Sequence, residues 1–316
     1  MNTEEILFRQ VPTNPSPRAS IAIISYNQKD FISEALDGAL HQNYENLEIV
    51  VSDDGSTDGT QSIISEYQAR YPGRIIALLN RENVGITRNC NRALRACTGK
   101  YIVVQGGDDI LLPQKISKQV EWFEADSRRV LCGHQVEVFH QNGSIPPYVA
   151  PKKLVKGNGA DLLIRQGGLY QATATMYLAS QIPKHGFDEE LPIVSDYMMA
   201  IEVLAHGGEF GFIEGIHARY RRHDKNVTFS YIKTVDDVER TLQIVAKRYP
   251  IYAKNCKYAM AKHVHYAYGM AFLLKGEKGA AIGSFVEAIR ISPFQIAIWI
   301  RLLQTILGLR LRTRLS

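Results

Sequence analysis

The sequence predicts an α/β fold: a mixed, mostly parallel sheet flanked by helices, followed by an all-helical C-terminal region. Three observations carry this. Short, fully apolar runs alternate with helical segments from Ala19 to about Phe123, as expected of parallel strands covered on both faces. After about Arg128 the rhythm changes to strands and short helices of unequal length. From about Val235 the apolar spacing is helical throughout, with no strand pattern left.

Taken in order, residues 1–18 read as a loose lead-in. ASIAIIS (19–25) reads as a buried strand and Phe31 to Gln42 as a helix. LEIVVS (47–52) is a second strand, and Thr60 to Tyr71 a second helix with Ile63, Ile64 and Tyr67 at helical spacing. RIIALLN (74–80), Ile86 to Ala96 and KYIVVQ (100–105) supply a third strand, a third helix and a fourth strand. Pro113 opens a helix running through Phe123, a position where its missing N–H costs nothing. VLCGHQVEVFHQNG (130–143) leads a strand into a turn, and Gly159 to Arg165 reads as a short helix. TATMYLAS (173–180) is a strand, Val194 to Ala205 a helix and GIHARYRRH (215–223) the last strand. Residues 263–293 read as a helical hairpin turning at Gly276, with Ala280, Ala281 and Gly283 letting its helices approach. The hairpin resembles one TPR-type repeat, and without a second copy it is not a solenoid. The chain thus divides into a lead-in (1–18), a body (19–230, with halves meeting at 127/128) and a helical region (231–316).

At 316 residues the chain is long enough for one large core plus an appendage. Four cysteines, Cys90, Cys97, Cys132 and Cys256, form no CxxC pair and have no histidine at zinc-ligand spacing. That pattern suits a reduced, cytoplasmic compartment and no structural metal site. The N-terminus is acidic and then proline-broken, unlike a signal or transit peptide. No run reaches the roughly 18 apolar residues of a membrane-spanning helix. The net charge of +5 is localised, because Arg290, Arg301, Arg310, Arg312 and Arg314 follow Glu287 with no acid after it. Everything before balances to zero, which argues against a nucleic-acid-binding body.

Ligands of parallel α/β sheets bind beyond the carboxyl ends of the strands. Two acidic doublets fall there: Asp53 and Asp54 after the second strand, Asp108 and Asp109 after the fourth. The plain reading of DDGSTDG is a turn and a capped helix start, with Asp58 as the N-cap. Its spacing excludes an EF-hand loop, which needs glycine at position six and glutamate at twelve. GGDD can likewise be a glycine-permitted turn. Adjacent carboxylates repel unless a cation or hydrogen-bond donors sit between them, however, and that favours a site.

The stretches SIAIISYNQKDFISEALDGALHQNYENLEIVVSDDGSTDGT and NRENVGITRNCNRALRACTGKYIVVQGGDDILLP resemble the nucleotide-sugar half of family 2 glycosyltransferases of the GT-A fold. GFDEELPIVSDYMMAIEVLAHGG and YRRHDKNVT resemble that family's acceptor half, and together these cover roughly residues 19 to 230 in the family's order. The resemblance implies that Ile24 and Tyr26, in ISYN, line the nucleotide base and ribose. Asp54 matches the carboxylate that accepts a hydrogen bond from the base, typically uracil N3–H. GGDD matches the DxD motif, so that Asp108 would bind the ribose and Asp109 a divalent ion, Mn²⁺ or Mg²⁺, bridging the diphosphate. Hard oxygen ligands suit those ions, and neutralising a diphosphate leaving group is Lewis-acid work. Many relatives carry the motif's first Asp where this chain has Gly106, which leaves open how many carboxylates reach the metal. Arg88, in GITRNCN, either faces the diphosphate or lies on the surface.

Asp196, in VSDYMM, matches the family's catalytic base, although Ser195 stands where an acid usually precedes it. Its plain reading is a cap on the helix that follows. His223, in YRRHD, matches a histidine that closes over the diphosphate or metal in some relatives, and its plain reading is structural. The implied activity is inverting, metal-dependent transfer from a nucleotide-diphosphate sugar to a hydroxyl of a glycan or lipid-linked glycan. UDP is favoured by family frequency, and cell-surface polysaccharide assembly is the setting the family suggests. Two rivals remain. A sugar nucleotidyltransferase would carry a glycine-rich basic loop after the first strand, which ISYNQKD lacks. A non-catalytic nucleotide-sugar-binding or assembly module would make Gly106 the mark of a decayed metal site. In residues 294–316, Ile296, Ile300, Leu303 and Leu307 form one stripe flanked by Trp299, Leu302 and Ile306, opposite Arg301, Thr305, Gly308 and Arg312. This is either a last helix packed on the domain or a basic amphipathic helix in peripheral contact with the inner face of an anionic membrane.

Overall fold

A computed structural model of the chain describes residues 16–168, 171–224, 226 and 231–309. The first half follows the sequence reading closely: β1 (Ala19–Ser25), α1 (Ile32–Leu40), β2 (Leu47–Asp53), α2 (Thr60–Arg70), β3 (Ile75–Leu79), α3 (Ile86–Ala96) and β4 (Tyr101–Gly106). There follow β5 (Ile110–Leu111), α4 (Lys115–Glu124), β6 (Arg129–His140), β7 (Tyr148–Ala150), β8 (Gly157–Asn158) and α5 (Asp161–Gln166). Next come β9 (Met176–Leu178), α6 (Ser195–Ala205) and β10 (Glu209–Arg222). The C-terminal helices are α7 (Tyr231–Arg248), α8 (Ala253–Ala259), α9 (Tyr266–Leu274), α10 (Lys278–Ile291) and α11 (Ile296–Ile306).

All the strands join one open sheet in the order β3-β2-β1-β4-β9-β6-β10-β5, with β7 beside β6 and β8 beside β10. The pairs β3–β2, β2–β1, β1–β4 and β6–β10 are parallel, whereas β9 runs antiparallel to both β4 and β6. The strand order reverses at β1, between β2 and β4, and that is where an open α/β sheet forms its ligand crevice.

Side chains alternate across the pleat, so the apolar strands feed two cores. Ile21, Ile23, Ile49, Val51 and Val103 pack under α1, α2 and α4. Ala22, Val50 and Val104 pack on the other face with Leu163, Met198 and Ile201, and with Leu242, Val245 and Cys256 of α7 and α8. A third cluster, including Met270, Phe285, Ala288, Ile298 and Leu302, holds α9, α10 and α11 together.

Three local expectations are corrected. Pro113 precedes the helix instead of opening it: α4 begins at Lys115, after Gln114 turns through φ 68°. TATMYLAS is a strand only at Met176–Leu178, because 3₁₀ turns at Ala172–Ala174 and Ala179–Gln181 take its two ends. Its Ala174 carbonyl is satisfied by Gln119 Nε2, which also donates to Cys132 O, so a side chain replaces the strand ladder there. The hairpin does turn at Gly276, at φ 79°, but a side chain at Gly283 would meet open space. The tight approach is at Gly269, against the Phe285 ring. In α11 the stripe is present, but Ile298, Leu302 and Thr305 are the buried residues and the stripe itself faces solvent. Arg310 to Ser316 lie outside the described residues. Among the described residues no helix is long and apolar enough to cross a membrane.

Candidate active site

The end of β1 gathers both acidic doublets. Ile24 O accepts the Gly107 N–H at 2.8 Å, and the next carbonyl, Ser25 O, accepts the Asp54 N–H at 2.9 Å. Two segments about fifty residues apart in sequence are thereby fastened to consecutive carbonyls at the crevice.

Within the first doublet the carboxylates are filled by the chain's own donors. Asp53 is fully buried and accepts from Ser25 Oγ (2.7 Å), Ser56 N (2.8 Å), Ser56 Oγ (2.6 Å) and Gln61 Nε2 (2.8 Å). Asp54 accepts the Val84 N–H (2.8 Å), the Gly85 N–H (2.9 Å) and Asn80 Nδ2 (3.2 Å). It therefore latches the β3–α3 loop to the turn after β2. Gly55 is required for this closeness: a Cβ there would lie 2.6 Å from the Glu82 carbonyl carbon. The expected N-cap, Asp58, is displaced by one residue, because Gly59 takes the cap position with φ 103°. Asp58 instead accepts the Thr60 N–H (3.0 Å) and the Lys29 N–H (3.1 Å), tying α2 to the β1–α1 loop.

The second doublet is held differently. Asp108 Oδ2 accepts from His223 Nε2 (2.9 Å) and Asn226 Nδ2 (3.1 Å). Asp109 is buried, and its Oδ1 accepts the Arg221 N–H at 3.0 Å. Burial, and then the neighbouring Asp108 charge, hold the Asp109 carboxyl well above the usual carboxylate range. Among the described residues Asp108 Oδ1 and Asp109 Oδ2 receive no hydrogen bond. Both converge over Gly106, where a Cβ would lie 2.5 Å from Asp108 Oδ1 and 3.7 Å from Asp109 Oδ2. Gly106 is thus the residue that leaves this cradle open, since any side chain there would strike Asp108. Asp108 Oδ1 and Asp109 Oδ2 are two convergent hard oxygens, a donor set that suits a divalent cation, whose charge would favour the ionised Asp109 that burial opposes. No group of three or more His, Cys, Asp or Glu residues around one point occurs among the described residues. Further ligands would have to come from substrate or water.

His223 is expected as a metal ligand and is placed one step away from that role. Its Nε2 is committed to Asp108 and its ring stacks on Phe31 with centroids 4.9 Å apart. A nitrogen that donates to Asp108 has no lone pair for a metal, so this arrangement makes His223 an orienting residue. Sequence reasoning missed Arg221 altogether. Its Nε donates to Asp108 O (2.8 Å), its side chain pairs with Glu34 (3.1 Å), and its guanidinium lies over Phe31 (4.8 Å) and Phe139 (4.7 Å). The available signal was an arginine at an inward position of the last strand, beside a second arginine. Asn226, also missed, had no signal beyond proximity to His223.

Asp196 sits in the first turn of α6, with its Oδ1 accepting the Tyr197 N–H at 2.8 Å. Asp196 thus satisfies a first-turn amide of α6, as its plain reading expects, while the N–H groups just before the helix, on Ile193 (2.7 Å) and Val194 (3.0 Å), are satisfied by Asp237 of α7. Burial raises the Asp196 carboxyl above the ordinary value. The Cys90 thiol, on α3, is pushed up to about 12 by burial and then by the Asp196 and Asp54 charges. Ile24 is buried and Tyr26 is exposed at the mouth of the crevice. Arg88 forms a solvent-exposed pair with Glu189 at 3.1 Å, so its guanidinium is engaged on the surface and its expected place beside a diphosphate is not what this arrangement displays.

A family model described as Glycosyl transferase family 2 matches residues 20–178. An uncharacterized Mycobacterium tuberculosis protein is 33% identical over 218 residues, which is 67% of this chain and 60% of that relative's length. Among solved structures, Staphylococcus aureus TarS 1–349 in complex with UDP-GlcNAc superposes with a TM-score of 0.65 at 16% identity, covering 87% of this chain and 81% of TarS 1–349. The mannosyltransferase PcManGT from Pyrobaculum calidifontis, in complex with GDP-Man and Mn²⁺, gives a TM-score of 0.62 at 17% identity, covering 93% of this chain and 81% of its own. At those identities the likeness to the solved structures is one of fold. The sheet order, the crevice at β1 and the family match lead to one assignment: the chain belongs to glycosyl transferase family 2.

Proposed function

We propose that the chain is an inverting glycosyltransferase moving a sugar from a nucleotide-diphosphate donor, UDP-linked by preference, to a hydroxyl of a glycan or lipid-linked glycan. The carrying observation is the pair of open carboxylate oxygens over Gly106, fastened to the end of β1 beside Asp54. The nucleotide-sugar complexes of the two structural neighbours support this reading. Ile24 and Tyr26 would bound the base. Asp54 Oδ2, which accepts only the Gly85 N–H, has a second lone pair with which to accept the base N–H while keeping its hold on the β3–α3 loop. Asp108, oriented by His223 and Asn226, would take the ribose. Asp109, with Asp108, would hold Mn²⁺ or Mg²⁺, which when bound supplies Lewis-acid neutralisation of the departing diphosphate.

Asp196 would accept the proton of the acceptor hydroxyl as its oxygen attacks the anomeric carbon from the face opposite the leaving group. A single displacement inverts the configuration, so an α-linked donor gives a β-linked product. A carboxyl raised by burial is a stronger base than an exposed aspartate, which suits this work at neutral pH. A decayed binding module is disfavoured because Asp54, Asp108, Asp109 and Asp196 are all retained together. Cell-surface polysaccharide assembly at the cytoplasmic face of the membrane is the setting we propose.

The test is turnover of a nucleotide-sugar panel with Mn²⁺, scored as donor consumption. Asp196→Asn should lower the rate by about 10²–10⁴-fold while leaving donor binding intact. The wild-type rate should fall as pH drops through the raised Asp196 value, because the base is then protonated. Equal, negligible consumption of every donor by both proteins would end the enzyme reading.

A further inference from the structure

The geometry points to a second functional surface: the outward face of α11 docks on an anionic lipid bilayer. This inference is independent of the glycosyl-transfer reading. Ile296, Trp299, Ile300, Leu303, Ile306 and Leu307 are 43% to 72% exposed. At the helical advance of about 100° per residue they fall within one arc of about 120°. Ile298, Leu302 and Thr305 occupy the adjoining arc and pack on α10 in a separate apolar cluster. The helix is therefore already anchored to the molecule, and its apolar stripe is surplus to that anchoring. Single exposed apolar side chains need no explanation, whereas six on one face mark an interaction surface.

Charge selects the partner. Between Phe294 and Leu309 the only charged residue is Arg301, and the sequence after Glu287 holds five arginines and no acid. An exposed apolar stripe in a segment whose charges are all positive matches a bilayer whose headgroups carry negative charge. A second copy seated face to face would instead bring two such segments together with no acid on either to balance them. Trp299 suits the interface as well. Its Nε1 already donates to Pro293 O at 2.8 Å, so the indole can enter an apolar layer without leaving its polar hydrogen unpaired.

The full chain is mixed with phosphatidylcholine vesicles, with and without phosphatidylglycerol, and vesicle-bound protein is separated by flotation. Size-exclusion chromatography is run in parallel. The wild type should float with phosphatidylglycerol vesicles, less so at high salt and least with phosphatidylcholine alone. Ile300→Glu together with Leu303→Glu, both on exposed side chains, should weaken binding about tenfold or more with an unchanged melting temperature. Replacing Arg310, Arg312 and Arg314 with Gln should remove the preference for phosphatidylglycerol. Absence of wild-type binding overturns the proposal, as does binding that the double substitution leaves untouched. So does a dimer that the same substitution dissociates, which would assign the face to a second copy. A monomer that ignores vesicles would equally overturn it.

Discussion

Two aspartate doublets stand at the ends of β2 and β4, the two strands that flank β1 in one sheet, and the chain treats them in opposite ways. Asp53 and Asp54 together accept seven hydrogen bonds from the chain itself, three of them from backbone N–H groups. Asp108 and Asp109 each keep one oxygen open over Gly106, and Asp109 pays a cost for it, since burial beside Asp108 opposes its ionisation. A saturated carboxylate pair fixes loops. An unsaturated one leaves room for a further donor or cation. The difference lies in the neighbours and not in the acids: serines, glutamine and loop amides converge on the first doublet. The second has Arg221 and His223 arranged so as to leave one side bare.

Four substitutions would break or sharpen this contrast. The largest effect belongs to Asp109→Asn, which should lower transfer by on the order of 10²–10³-fold. Stability in metal-free buffer should hold or rise, because a buried carboxyl without a cation is removed. Kinetics with thermal unfolding on the same sample checks both halves. Asp53→Ala should do the reverse. It strands Ser25, Ser56 and Gln61 donors in the interior, costing about 3 kcal/mol of stability, while the folded fraction keeps a rate within tenfold of wild type. Urea unfolding separates that loss from catalysis, and a catalytic collapse without destabilisation would merge the doublets into one site. Smaller again, Arg221→Lys keeps the charge but cannot hold Asp108 O, Glu34 and the two phenyl faces at once. It should weaken Mn²⁺-dependent donor binding by about tenfold with little loss of fold. Least in stability is Gly106→Ala, whose methyl would meet Asp108 Oδ1 at 2.5 Å. It should raise the Mn²⁺ concentration needed for half-maximal rate and leave the melting temperature near wild type.

Much of the fold was legible because β1 to β4 are short, apolar on both faces and punctuated by amphipathic helices. The crevice followed from strand order, and the doublets from their places at strand ends. What periodicity could not supply was pairing between distant segments. The intrusion of β9 between β4 and β6 depends on Gln119 reaching two carbonyls, and no local pattern announces it. Arg221 was hidden for the same reason, since its partners Asp108, Glu34 and Phe139 come from three separate elements. His223 was found by its neighbours in sequence, but a match shows where a histidine stands and not which hydrogen bond occupies its nitrogen, here the one to Asp108. The stripe on α11 was read correctly as a stripe. Which side of it faces the core is a tertiary fact: α11 packs through Ile298 and Leu302, on the arc beside the stripe.

The central claim is that the open doublet holds a cation that completes a nucleotide-sugar site, and differential thermal stability tests it most directly. Wild type and Asp109→Asn are melted with UDP, UDP-sugars, GDP-sugars and dTDP-sugars, each with and without Mn²⁺. A ligand present at about 100 times its Kd stabilises the native state by about 2.7 kcal/mol, enough for a clear rise in Tm. The account predicts a rise with one nucleotide class that requires Mn²⁺ in the wild type and vanishes in Asp109→Asn. No Mn²⁺-dependent rise with any nucleotide, or an equal rise in both proteins, would contradict it.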